Sequence, residues 1–170
     1  MRCCRKICCL VALLLTLTAC GYRFSGGGVL PGGVERVSVG IFENKSAETG
    51  VEGIIGNDII YEFTRNGKAF TYQHEAGDAV LSGTVLSVTT RSISRQSVHN
   101  AQEQRVTVTI SLKMADSKGV IIWQAPHISE NEEYVVAEDK GTTEQNKRAA
   151  IVKLSRRLAE RVYDQMTDNF

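Results

Sequence analysis

From Gln104 to Met114 the chain alternates without a break. Val106, Val108, Ile110, Leu112 and Met114 fall on one side, and Arg105, Thr107, Thr109, Ser111 and Lys113 on the other. A period of two is that of a β-strand, because successive side chains leave opposite faces of a sheet. One face of such a strand must be covered, and the other meets water or a polar partner.

The rest of the chain supplies neighbours and a cover. In Val34 to Phe42, the alternation of Val37, Val39 and Ile41 with Arg36 and Ser38 predicts a strand. Asn44, Lys45 and Ser46 turn the chain, and Thr49 followed by Glu52 has the spacing of a capping box. The helix that follows is expected to run to about Arg65. Val51, Ile54, Ile55, Ile59 and Phe63 form its apolar stripe, Ile60 and Tyr61 widen it, and Asn66-Gly67 supplies a left-handed stop. A short extended piece, Phe70 to Gln73, precedes a long Ser- and Thr-rich one from Ala79 to about Gln96. After the alternating strand, Asp116-Ser117-Lys118-Gly119 is a tight turn into Val120 to Gln124, which holds the sole tryptophan, Trp123. Consecutive hairpins imply antiparallel pairing.

Glu130, Glu132 and Glu133, with Glu138 and Asp139, then make an acidic stretch expected to be a solvated loop. Thr142 and Gln145 repeat the capping-box spacing before a long helix with Ile151, Leu154, Leu158, Val162 and Met166 along one stripe. Its Lys147, Arg148, Lys153, Arg156, Arg157 and Arg161 are expected on wet faces. Two amphipathic helices and several half-apolar strands satisfy each other when both helices cover one face of the sheet. The expected fold is α+β, a two-layer sandwich with two amphipathic helices packed on one face of a mainly antiparallel sheet of about four strands.

The first nineteen residues stand apart from this domain. Arg2, Arg5 and Lys6 form a basic start, and the apolar run from Ile7 to Ala19 is thirteen residues long. A span of the bilayer needs roughly 20 apolar residues, so the segment has the form of a cleaved signal. It ends in Leu17-Thr18-Ala19-Cys20, which resembles a bacterial lipobox, with cleavage between Ala19 and Cys20 and lipidation of Cys20. Several acyl chains on one residue hold a protein to a membrane essentially permanently. Gly21 follows Cys20 where enteric lipoproteins kept at the inner membrane carry aspartate, which favours the outer membrane. The domain boundaries expected are therefore 1–19 for the signal, 20–33 for a lipidated Gly-rich tether with six glycines, and 34–170 for a single folded domain.

Processing also changes what composition excludes. The mature chain would carry seventeen basic and nineteen acidic residues, a formal charge of −2, which argues against nonspecific binding to nucleic acid. Cys3, Cys4, Cys8 and Cys9 leave with the signal, so Cys20 would be the sole mature cysteine, with no disulfide, thiolate metal cluster or Cys nucleophile in the domain. His74, His99 and His127 lack metal-ligand spacing, and no Gly-x-Ser-x-Gly elbow, Ser-x-x-Lys dyad or EF-hand loop is present. The glycines of residues 21–33 are not followed by Gly-Lys-Ser/Thr and do not form a phosphate loop. No enzyme, no catalytic or metal site and no cofactor beyond the N-terminal lipid is expected. A periplasmic hydrolase would need a reactive acid or histidine that nothing in the sequence nominates.

Cys20-Gly21-Tyr22-Arg23-Phe24, the strand and turn VSVGIFENKS, the capped first helix, and Ala79-Val80-Leu81-Ser82-Gly83 opening the long strand, taken in this order, resemble the LPS-assembly lipoprotein family, LptE. The resemblance covers most of the mature chain. It implies an outer-membrane lipoprotein on the periplasmic face that plugs the lumen of an LptD-type β-barrel, helps the barrel assemble and contacts lipopolysaccharide. It directs attention to cations between the two long strands and before the last helix: Arg91, Arg95 and His99 in the first region, Lys140 in the second, with Lys118 in the turn as a weaker candidate. Arg and Lys are the side chains suited to phosphate. The alternative is an outer-membrane lipoprotein that activates a peptidoglycan synthase, a class whose members can also begin with a strand ending in Phe-x-Asn before a helix.

Overall fold

The computed structural model describes residues 30–66, 69–71, 78–93 and 102–167. The alternating segment is the centre of the long-stranded part of the sheet. Its strand, β5 (Glu103–Asp116), lies antiparallel between β4 (Ala79–Ile93) and β6 (Ile121–Val135). Val106, Val108, Ile110, Leu112 and Met114 are all essentially inaccessible to solvent. Three short strands complete the sheet. β1 (Arg36–Val39) pairs parallel with β4 and with β3 (Ala69–Thr71), and β2 (Glu43–Asn44) pairs parallel with β4 further along.

The sheet therefore has six strands, against about four expected. Its long strands are antiparallel as expected, but its N-terminal strands are parallel, making it mixed. The cause is the helix between β1 and β3. α1 (Val51–Arg65) uses up the chain length needed to re-enter the sheet in the same direction, which a tight hairpin cannot do. Both α1 and α2 (Lys140–Thr167) lie on one face of the sheet and pack on each other, α1 towards β2, β3 and β4, and α2 towards β5 and β6. The two-layer α+β sandwich is the observed architecture. Phe63 meets Tyr163 edge to face between the helices, with ring centroids 5.2 Å apart and planes at 81°.

Several local expectations are corrected. The alternation of the first strand fails at its end: Gly40 donates its N–H to the Leu81 carbonyl at 2.9 Å, after which Phe42 is buried and Ile41 is 80% exposed. Thr49 does not cap α1. The N-cap is Gly50 at φ 83, with no side-chain cap, and Glu52 instead accepts a hydrogen bond from Asn44 Nδ2 at 2.7 Å. Asn44 Oδ1 takes the Ser46 N–H at 2.9 Å, so this asparagine organises the turn that the capping box was expected to fix. At the other end Asn66 has φ −89, not a left-handed conformation, and its Nδ2 donates to the Glu62 carbonyl at 2.8 Å; Gly67 lies outside the described residues. Tyr61 is exposed and does not widen the apolar stripe.

The second helix begins one turn before its expected cap. Asp139 Oδ1 accepts the Thr142 N–H at 2.7 Å, and Thr143 Oγ1 accepts the Ala137 N–H at 3.0 Å. The Asp116 turn behaves as its residues require: Gly119 takes φ 82, and Asp116 Oδ1 accepts the N–H groups of Lys118 and Val120, each at 2.9 Å. The strand after that turn is far longer than Val120 to Gln124. It continues to Val135 through a bulge at Pro126 and His127, opposite Ser111, and takes the acidic stretch into the sheet. Upstream, Leu30 is buried in the core and Pro31–Gly33 form a 3-10 turn over Ile122.

Candidate functional site

Among the described residues, neither helix covers the sheet face opposite α1 and α2. Its composition follows from register. Ser82 and Thr84 on β4 align with Lys113 and Ser111 on β5; Thr107 and Thr109 align with Asn131 and Ser129 on β6; and Arg91, Arg105 and Glu133 form one row across three strands. Hydroxyl and charged groups are tied to each other across strands. Thr109 Oγ1 and Ser129 Oγ are 2.9 Å apart, and Arg105 donates to Glu133 at 2.7 Å. Near the β1–β2 break the face dips into a concavity of about 370 Å³, whose lining includes Ile41, Lys45, Thr84, Leu86 and Lys113. It combines apolar side chains with two ammonium groups and the Glu43 carboxylate, which lies 4.0 Å from the Lys45 ammonium.

On the opposite side, charge holds the α2 layer to the sheet. Glu130 and Glu132, expected in a solvated loop, project from β6 towards α2. Arg157 bonds Glu132 at 2.7 Å, Arg161 bonds Glu130 at 2.7 Å, and Lys153 also bonds Glu132. The Lys153 ammonium, with Arg157 beside it, holds the Glu132 carboxyl below its ordinary range despite partial burial. The same helix ties the edge of β6: Arg157 donates to the Asn131 carbonyl at 2.5 Å, Arg161 to the Ser129 carbonyl at 2.9 Å and Asn146 to the Val135 carbonyl at 2.9 Å. Lys147 pairs with Glu48 across the molecule. Burial disfavours its charge, yet Glu48 and Glu144 together raise its pKa above the ordinary lysine value. Arg148, Lys153, Arg156 and Arg161 are exposed, as expected of wet faces, and Lys153, Arg157 and Arg161 also form a docking seam with β6. Nothing in the spacing of the acids signalled it, since each acid and its base are more than twenty residues apart.

A second concavity, about 470 Å³, lies between α1 and α2 and is lined by Asp58, Tyr61, Glu62, Arg65, Arg156 and Glu160. Its Arg65 and Glu62 bond each other at 2.8 Å. Among the described residues no group of three or more His, Cys, Asp or Glu side chains could hold a metal ion, and no helix is long and apolar enough to cross a membrane.

The candidate cations divide by position. Arg91 is exposed on the open face, directly across from Arg105. Lys140 is exposed as the first residue of α2, just beyond the end of β6 where Val135 pairs with Glu103, so it and Arg91 belong to the same end of the sheet. Lys118 is exposed in the turn at the opposite end, apart from both. Arg95 and His99 lie outside the described residues, as do Ala19 and Cys20.

No curated protein matches the chain. Among solved structures it is similar to a minor lipoprotein from Acinetobacter baumannii, with 17% identity over 79% of this chain and 92% of that one and a TM-score of 0.54. It is also similar to lipoprotein B from Nitrosomonas europaea, with 13% identity over 86% of this chain and 90% of the other and a TM-score of 0.57. At such identities these likenesses concern the fold alone. The family model for lipopolysaccharide assembly, LptE, matches residues 34–166, from the residues before β1 to the last turn of α2. By that match over most of its length, the chain belongs to the LptE lipopolysaccharide-assembly family.

Proposed function

We propose that this chain is a non-enzymatic, lipid-anchored subunit of a lipopolysaccharide transport and assembly complex. It sits at the periplasmic face of the outer membrane, plugs the lumen of an LptD-type β-barrel, assists assembly of that barrel and contacts lipopolysaccharide. The observation that carries the reading is the family match across 34–166. The hydroxyl-rich open face supports it physically, because barrel interiors are polar and hydrated and a docked protein must offer them hydrogen-bonding groups. The lipobox-like Leu17-Thr18-Ala19-Cys20 supports the anchor. Arg91 and Lys140, with Arg95 and His99, are the proposed phosphate contacts, and Lys118 stands apart from them.

Extraction in mild detergent from cells making the chain at native level tests the reading. Recovery with a large outer-membrane β-barrel is the expected result. Recovery with an inner-membrane peptidoglycan synthase, or with no barrel, would sink it.

A further inference from the structure

The two sides of the sheet are finished differently. On the β6 side, Arg157, Arg161 and Asn146 occupy the outward carbonyls of Asn131, Ser129 and Val135, and Pro126 interrupts the strand. Closed edges of this kind prevent unwanted strand pairing. On the other side, β1 and β2 pair with β4 only as far as Val85. From Leu86 to Ile93 no described residue pairs with β4 on the side away from β5, although β5 holds the strand in register up to Ile93 and Glu103.

That open length has defined donors and acceptors. The carbonyls of Leu81 and Val85 accept the N–H groups of Gly40 and Lys45 at 2.9 Å, so they point away from β5. Side-chain face and hydrogen-bond direction alternate together along a strand. Past the bulge at Leu86, Val88, Thr90 and Ser92 share the helix-side face of Leu81 and Val85, as their pairing with Val108, Val106 and Gln104 requires. Their backbone groups therefore line the open edge. Thr89, Thr90, Arg91 and Ser92 are all exposed.

Charge selects the occupant. In the row Arg91, Arg105, Glu133, the middle guanidinium is bonded to Glu133, and Arg91 stands beside a like charge with no ion pair of its own among the described residues. A carboxylate on the next strand outward would answer it. A second copy of β4 has none to offer, because Ala79–Ile93 contains no acidic residue. A bound phosphate, the contact proposed above for Arg91, would answer its charge but leave the row of backbone groups unpaired, so at Arg91 the two occupants are alternatives that the experiment below separates.

We propose that the β4 edge from Val88 to Ser92 takes up an extended acidic segment of a partner polypeptide as an added strand, with a carboxylate set against Arg91. Main-chain hydrogen bonds supply the affinity in this mode and the side chains supply the choice of partner. The inference does not depend on which partner brings the segment.

The test uses the full lipidated chain in its cell, with a photoreactive phenylalanine analogue at position 90 or 92 and the cross-linked peptide mapped by mass spectrometry. The expected product is one acidic segment. Its cross-link is lost in Arg91→Glu and regained when the segment's acid is changed to lysine. Thr90→Pro, which removes an outward N–H without touching the β5 pairing, abolishes it, whereas Thr90→Val retains it. In the purified complex, amides of Val88, Thr90 and Ser92 gain protection from hydrogen exchange while those of Thr89 and Arg91 do not change. Cross-links only to lipid, to a second copy of the chain, or to nothing would overturn the inference. So would unchanged exchange at the three outward amides. A barrel recovered with an unlinked edge would remove the inference and leave the proposed function, and an acidic segment from a different protein, with no barrel recovered, would do the reverse.

Discussion

The ring of Phe42 occupies the space that a side chain at position 83 would need. A Cβ built on Gly83 falls 2.1 Å from Phe42 Cε1, and Phe42 is itself only 5% exposed. The glycine lets the displaced first-strand segment lay an aromatic ring directly on β4, which explains how Phe42 replaces Ile41 in the core.

Gly83→Ala is therefore expected to destabilise the domain by about 1–3 kcal/mol, the usual cost of overpacking a filled core. In urea titrations, Phe42→Leu combined with Gly83→Ala should lose less than the sum of the two single changes. Additive losses would show that the two residues do not share the space.

The helix caps give a matched pair of outcomes. Asp139→Ala should cost about 1 kcal/mol, because the Thr142 N–H loses its acceptor, whereas Thr49→Ala should be near neutral. Thermal unfolding of the two variants side by side decides this, and equal losses would contradict the assignment of the caps.

Removing Arg157 leaves Glu132 short of a partner and uncovers the Asn131 carbonyl. Arg157→Ala should lose about 2–3 kcal/mol, in the range for a hydrogen bond to a charged group with its partner left behind. Glu132→Gln in the same background should recover part of the loss, as read in a double-mutant cycle by denaturant midpoints.

Acid should weaken the same seam. The Glu132 pKa is lower in the folded chain than its ordinary value of 4.5, so its contribution is complete above that value and is lost as pH falls through the folded pKa. Stability measured from pH 6 downward should decline below about 4.5, and the decline should be shallower in Glu132→Gln.

The phosphate contacts can be separated from folding. Changing Arg95 and Lys140 together to glutamate should weaken lipopolysaccharide binding while thermal stability and barrel co-purification stay nearly intact. Unaltered binding would return both residues to the ordinary solvated surface.

The sequence by itself determined what local period can encode. Met114, Leu112, Ile110, Val108 and Val106 are buried because a strand places every second side chain on one face, and Ile151, Leu154, Leu158, Val162 and Met166 are buried because a helix gathers residues three and four apart. That was enough for two helices on one face of a sheet. Only the tertiary structure decided the rest, because it depends on partners distant along the chain. Glu130 and Glu132 resemble a solvated loop until Arg161, Arg157 and Lys153 arrive beside them on α2. The capping box of α1 does not form, because Glu52 accepts from Asn44 Nδ2 instead and the N-cap position falls on Gly50. Direction in the sheet also had no local signature: β3 is parallel to β1 because of where α1 returns the chain. The same long-range geometry left one edge of the sheet bonded to a helix and the other, at Thr90, with no pairing partner among the described residues, a difference that no pattern in either strand could carry alone.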